Sequence, residues 1–340
     1  MSITNKSDDA QTYHISPLIL GFQGATLSPD LRKTITRLSP AGFILFRRNI
    51  ESPQQLKKLC DDLKKLSSLS SPLIFIDQEG GRVIRIRWPE VYTAPPARRF
   101  GELYEQNPEK GLKAAQWSAY LTARELHHMG ITANCMPVAD LAVKGAHSVI
   151  GDRAYSVDPN AVAALCAAAI KGTMAGGVWP VIKHAPGHGR AQVDSHVALP
   201  QVDENAEILQ NDLYPFKVNN QCPFVMTAHV TYTAFDDACA TMSSTILKKI
   251  LRQECGMKGI FIADDMFMQA LDGSLHERIE NATNAGCDLV ICGSNTIEGS
   301  FSEEMWQQIE QLNTDFSLCR EVRQRLQELP TLPSTFDVTL

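Results

Sequence analysis

The chain has 340 residues, 44% of them apolar and 21% charged, with a mean hydropathy of −0.14, enough apolar material for a sizeable core and too much for an intrinsically disordered polypeptide. Lys and Arg number 32 against 38 Asp and Glu, a net charge of −6 without a long basic run, which argues against a protein that grips nucleic-acid backbones. The length allows one large domain or a modest pair.

The N-terminal stretch MSITNKSDDAQTYH is polar and lacks the apolar centre of a secretory signal, and no apolar run reaches the length of a membrane span. A cytoplasmic protein without a membrane partner is expected. Nine cysteines lie scattered without a C-x-x-C pair, so neither a disulfide framework nor a zinc knuckle is indicated; buried thiols are expected.

In chain order, short apolar runs occur at 17–22 (PLILGF), 42–46 (GFILF), 73–77 (LIFID), 131–138 (ITANCMPV), 178–184 (VWPVIKH), 224–230 (FVMTAHV), 259–265 (GIFIADD) and 289–293 (LVICG). Amphipathic stretches separate them, among them SPQQLKKLCDDLKKL, EKGLKAAQWSAYLTARELHHM, DPNAVAALCAAAIKGTMAGG, MSSTILKKILRQECG and SLHERIENATNAG. Several open on a Ser or Asp cap and close on Gly. Continuous apolar strands alternating with helices are what a closed parallel barrel requires, because its strands are covered on both faces. An open doubly wound sheet would carry a glycine-rich phosphate turn after its first strand, and GFQGATLSPD has no clear G-x-G-x-x-G. The reading is an α/β protein with a (β/α)8 TIM-type barrel as a single domain over 1–340, a polar extension at 1–15 and an irregular tail at 330–340. The Pro-rich segment 78–108 is too long for an ordinary connection and reads as a loop inserted over the barrel mouth.

Parallel strands place all their C-terminal ends at one rim. There the sequence delivers Asp77, Asp140, Lys183 with His184, His229, and Asp264 with Asp265. One such residue would be unremarkable; so many together point to an active site. The segment KHAPGHGRAQVDSH, 183–196, holds three histidines, and His229 is a fourth. A metal site is the first possibility, but barrel metallohydrolases commonly begin with H-x-H on an early strand, which none of the first four supplies, and Lys183 is an awkward neighbour for a divalent cation. Without a metal, Asp194 could polarise His196 as a general acid and base, or the D-S-H triplet could be a turn capped by Asp194. Asp264 could act as a carboxylate nucleophile. Arg82, Arg85, Arg87 and Arg153, with Asp77 and Lys183, supply donors and acceptors suited to sugar hydroxyls; singly, each arginine reads as a surface residue. Met266 and Met268 read as packing.

Asp77-Gln78-Glu79-Gly80-Gly81-Arg82-Val83, Lys183-His184-Ala185-Pro186-Gly187-His188-Gly189, Asp194-Ser195-His196 and Ala263-Asp264-Asp265-Met266 together resemble glycoside hydrolase family 3, and within it the single-domain β-N-acetylglucosaminidases of Gram-negative peptidoglycan recycling. The similarity extends in order over roughly residues 17–300. It implies exo-acting, retaining removal of a non-reducing terminal β-linked GlcNAc from 1,6-anhydro-N-acetylmuramic acid muropeptides through a covalent glycosyl-enzyme. It further implies Asp264 as nucleophile, His196 paired with Asp194 as acid/base, and Asp77, Arg85, Arg153, Lys183 and His184 as the residues holding the sugar. No metal or other cofactor is implied, and a monomer acting on a small carbohydrate is expected. Ala185 stands where the family commonly has Phe, and Ala263 where it commonly has Ser. These exchanges are expected to loosen the loop bearing His196 and to remove a hydrogen bond near Asp264. Strand parity does not separate Asp264 from Asp265, because apolar residues flank both faces. The competing functions are a metal-dependent amidohydrolase-like enzyme and a sugar-binding barrel that has lost catalysis.

Overall fold

A computed structural model describes residues 14–69, 72–294, 299–329 and 331–332. The expected N-terminal extension and C-terminal tail fall largely outside these residues.

Eight parallel strands close into a barrel in chain order: β1 (Ser16–Leu20), β2 (Pro40–Leu45), β3 (Leu73–Ile76), β4 (Ala133–Asn134), β5 (Trp179–Ala185), β6 (Phe224–Thr227), β7 (Ile260–Ala263) and β8 (Leu289–Cys292), which returns to pair with β1. Helices follow each strand and form the outer layer, among them Pro29–Leu38, Pro53–Leu66, Pro108–His128, Pro159–Ala175 and Leu275–Ala285. Their starts follow from local chemistry. Ser28, Ser52, Asn107, Asp158 and Ser274 each accept a hydrogen bond from a free backbone N–H of the first turn. Ser274 and Glu277 complete a reciprocal capping box.

Alternation along the strands divides the core in two. Ile19, Ile44, Phe75, Val181, Phe224, Ile260, Ile262 and Ile291 fill the barrel interior. Their neighbours Leu18, Phe43, Ile74, Ile182, Val225, Phe261 and Val290 pack against the helices. Because side chains alternate with period two, the residue that continues an inward series past the strand end points into the barrel mouth. Asp77 follows Phe75, Lys183 follows Val181, and Asp264 follows Ile262 in this sense.

Two expectations change. The run 131–138 forms only a two-residue strand, because Asn134 spends its side chain on the backbone of Gln78, accepting from its N–H at 2.9 Å and donating to its carbonyl at 3.0 Å, and Pro137 has no N–H to offer a ladder. The segment 78–108 is not all loop: residues 78–96 are irregular, but Ala97–Gln106 is helical and begins directly after Pro96, which makes no side-chain cap.

Candidate active site

The C-terminal ends of the strands surround a cleft of about 650 Å³, counting its open mouth, lined by Asp77, Glu79, Arg85, Arg153, Lys183, His184, His188, His196, Asp264 and Asp265 among others. Seven of the eight expected site residues line it; the eighth, Asp194, stands behind His196.

One wall is an ionic cluster. Lys183 Nζ donates to Asp77 Oδ1 at 2.8 Å, and Arg85 Nη2 donates to Asp77 Oδ2 at 3.0 Å. Lys183 also pairs with Glu79 at 2.6 Å, whose two oxygens accept from Arg153 Nε and Nη2, both at 2.8 Å. Burial opposes charge on every member, but here each charge has a partner. It would raise the Asp77 carboxyl, yet Lys183 and Arg85 hold it well below the usual carboxylate range. Burial acts likewise on Glu79, and Arg153 and Lys183 overrule it, bringing Glu79 to about 2. Burial would lower Lys183, and the two carboxylates hold it above its ordinary value. Asp77, Glu79 and Lys183 are thus held toward their charged forms by one another and by the arginines.

Glu79 was not singled out from the sequence. Its signal was present in E-G-G-R: Gly80 has φ +117°, and a Cβ there would lie 2.5 Å from the Pro95 carbonyl oxygen, so only glycine lets the chain turn Glu79 inward. Arg82 lies outside the cleft, bound to Asp152 and to the carbonyls of residues 148–150.

A second group is built on Asp140, which is fully buried. Its Oδ2 accepts from His184 Nδ1 at 2.7 Å, while Oδ1 accepts the backbone N–H groups of His184 at 3.1 Å and His188 at 2.6 Å. Burial would raise this carboxyl, but His184 leads the groups that bring it to about 2. The other histidine of the motif, His188, is pushed down to about 4 by burial and by His184. Gly189 is required for packing: a Cβ there would meet the Leu141 carbonyl oxygen at 2.1 Å.

Asp194 Oδ1 accepts from both the backbone N–H of His196 at 2.9 Å and its Nδ1 at 2.7 Å. The turn and the dyad, alternatives in the sequence, are therefore both present. Burial would raise Asp194, and His196 brings it to about 2.

The adjacent carboxyls of Asp264 and Asp265 diverge. Asp264 faces the cleft and accepts from the Asp265 N–H at 2.8 Å. Burial would raise it, but His229, His184 and His196 hold it below the usual carboxylate range. Asp265 accepts the N–H groups of Phe267 at 3.1 Å, Gly293 at 3.1 Å and Ser294 at 2.6 Å, so its oxygens are committed to the backbone. Burial pushes it up to about 8. His229 serves this turn from behind: Nε2 donates to the Asp265 carbonyl at 3.1 Å, and Nδ1 meets Thr241 Oγ1 at 2.9 Å. Met266 is buried packing, whereas Met268 lines the cleft. Among the described residues no three His, Cys, Asp or Glu side chains are grouped to hold a metal ion.

Residues 18–329 match the glycosyl hydrolase family 3 N-terminal domain. The chain is 40% identical over 285 residues to a beta-hexosaminidase of Nitrosomonas eutropha, covering 82% of this chain and 80% of that one. Native NagZ from Neisseria gonorrhoeae superposes with a TM-score of 0.78 at 31% identity, covering 93% of this chain and 94% of that one. A family 3 β-N-acetylglucosaminidase from Paenibacillus sp. str. FPU-7 superposes with a TM-score of 0.79 at 31% identity, covering 91% of this chain and 59% of that larger one. The chain belongs to glycosyl hydrolase family 3. It is a glycoside hydrolase of the β-hexosaminidase type.

Proposed function

We propose that this chain is an exo-acting, retaining β-N-acetylglucosaminidase that removes a non-reducing terminal GlcNAc from 1,6-anhydro-N-acetylmuramic acid muropeptides. The observation that carries the reading is the pairing, in one cleft, of an ionised carboxylate at Asp264 with an imidazole at His196 whose Nδ1 is held by Asp194, beside the ionised clamp of Asp77, Glu79, Arg85, Arg153 and Lys183. Such a clamp suits vicinal hydroxyls, because carboxylates accept and guanidinium and ammonium groups donate at fixed positions. Support for the sugar comes from a neighbouring fold: NagZ from Neisseria gonorrhoeae is known in complex with N-trifluoroacetyl-D-glucosamine.

In the first step a carboxylate oxygen of Asp264 bonds to C1 as the C1–O bond to the aglycone breaks. His196 Nε2 gives its proton to the departing oxygen. In the second step His196 Nε2 takes a proton from water, the water oxygen bonds to C1, and the bond to Asp264 breaks, so the configuration is retained. Asp194 keeps Nδ1 protonated and leaves Nε2 to exchange the proton. A carboxylate is a competent nucleophile only when ionised, and its depressed pKa keeps Asp264 so. Nine cysteines with no disulfide among them, eight buried, suit a reducing compartment; we place the enzyme in the cytoplasm, acting as a monomer.

The test is intact-mass detection of a sugar trapped on the protein by a 5-fluoro GlcNAc donor, with mapping of the labelled peptide. The label is expected on Asp264, and Asp264→Ala is expected to lose at least ~10³-fold in turnover of an aryl β-GlcNAc. Label on another residue, or near-normal turnover by the variant, removes Asp264 from the scheme. Activity unchanged after dialysis against EDTA is expected; its loss, with recovery on adding metal, would favour the metal-dependent alternative.

A further inference from the structure

His196 stands on an irregular segment, 186–200, and its partner Asp194 belongs to the same segment. A dyad made of residues two apart can orient a ring, but it cannot fix that ring relative to a carboxylate carried by β7. Some contact outside the dyad has to tie the segment to the barrel.

Ser195, between the two, is 3% exposed, whereas the side chains of Asp194 and His196 are 23% and 22% exposed. Its Oγ lies 3.1 Å from Nε2 of His188, and its carbonyl accepts from the Ala270 N–H at 3.2 Å. His188 is itself fixed. Its backbone N–H donates to Asp140 Oδ1 at 2.6 Å, and its ring packs edge-on to His184, with centroids 5.8 Å apart. A continuous set of contacts therefore runs from Asp140 through His188 and Ser195 to His196. Nδ1 of His188 is buried without a hydrogen-bond partner, so the bond to Ser195 is the one that offsets the desolvation of this ring. Where packing alone was needed, an apolar ring would serve better. The neutral state of His188 also keeps it from competing with His196 as a proton donor.

We propose that His188 is a positioning residue: anchored to Asp140 at the start of the segment, it clasps the His196 end through Ser195 Oγ and seats His196 where Nε2 reaches the glycosidic oxygen. The inference rests on the acid/base role proposed for His196. A misplaced general acid harms departure of a basic aglycone far more than departure of an acidic one, which leaves unprotonated.

The experiment compares kcat/KM, which reports steps up to the glycosyl-enzyme, for 4-methoxyphenyl and 2,4-dinitrophenyl β-GlcNAc. The enzymes are wild type, His196→Gln, Ser195→Ala, Ser195→Thr and His188→Phe. Ser195→Ala and His188→Phe are expected to lose ~10- to 100-fold on the methoxyphenyl substrate and within ~3-fold on the dinitrophenyl one, with Ser195→Thr restoring most of the loss. His196→Gln should show the same selectivity more strongly. If His196→Gln shows no dependence on the leaving group, the acid assignment fails and the clasp with it. If His196→Gln shows the dependence while Ser195→Ala loses equally on both substrates, or on neither, His188 is a packing residue and the clasp is overturned.

Discussion

Asp264 and Asp265 are neighbours in sequence and opposites in chemistry: burial and the adjacent Asp264 charge outweigh the backbone N–H groups at Asp265, while three histidines overrule burial at Asp264. Divergence of this kind is how a site separates a charged group from a neutral one. Glu79 poses the complementary case, a carboxylate whose charge is shared between Lys183 and Arg153. Removing one partner of a buried ionic network leaves the others uncompensated. Glu79→Gln is therefore expected to destabilise the fold by ~3–5 kcal/mol in urea denaturation and to raise KM more than it lowers kcat; a stability change under 1 kcal/mol would mean the cluster relaxes. The pH dependence follows from the same residues. Glu79 and Asp140 lie near 2 in the folded protein against ~4.3 and ~3.9 in an unfolded chain. Their contribution is complete above about pH 5, falls as the unfolded carboxyls protonate, and is lost once pH drops through about 2. The urea midpoint should drop across that window, and less steeply in Glu79→Gln. Equal slopes in the two proteins would exclude Glu79 as a source of the acid sensitivity.

Along the strands, alternation explains more than the sequence alone allowed. Ala185 and Ala263, where the family commonly has Phe and Ser, both pack in the helix-facing shell and are fully buried. Neither side chain reaches the cleft, so the loosened loop and the missing hydrogen bond expected from these exchanges have no direct geometric basis. Restoring Ser at 263 is expected to leave kcat within about 2-fold and to cost ~1–3 kcal/mol of stability for burying a hydroxyl. Ala185→Phe should overpack the shell and destabilise by ~1–3 kcal/mol. A several-fold gain in kcat from Ala263→Ser would show that position 263 does communicate with the nucleophile. Asp264 and Asp265 are separated by the same rule, since 260, 262 and 264 share the inward face. The parity was available in the sequence but could not be read there, because isoleucine, phenylalanine and alanine are equally acceptable on both faces of a covered strand.

The barrel as a whole brings together residues as distant as 77 and 264, and its interior packing supports the floor of the cleft. Phe75 and Phe224 meet edge to face beneath the ionic cluster, with ring centroids 5.8 Å apart. Phe75→Ala is expected to cost ~3–5 kcal/mol, read as a shift in the urea midpoint, while the glycosyl-enzyme still forms on the folded fraction. A loss below 1 kcal/mol would imply that the interior collapses around the deletion. Closure also explains why the rim residues act as a group: all eight strands are parallel and adjacent in chain order, so their ends have no other place to go.

From residues in order, the barrel, its strands to within a few positions and several helix caps were legible, because they depend on local period and local hydrogen bonding; the expected site residues follow from their place at the strand ends and from the family resemblance, and the structure brings seven of the eight to the lining of one cleft. The three-dimensional structure alone decided which polar groups meet: Glu79 with Lys183 and Arg153, Asp140 with His184, Asp265 with the backbone N–H groups of residues 267, 293 and 294, and His188 with Ser195. Those pairings join positions remote in the chain or in an irregular segment, where no periodicity constrains the path, and electrostatic partnership depends on distances that only the closed barrel sets.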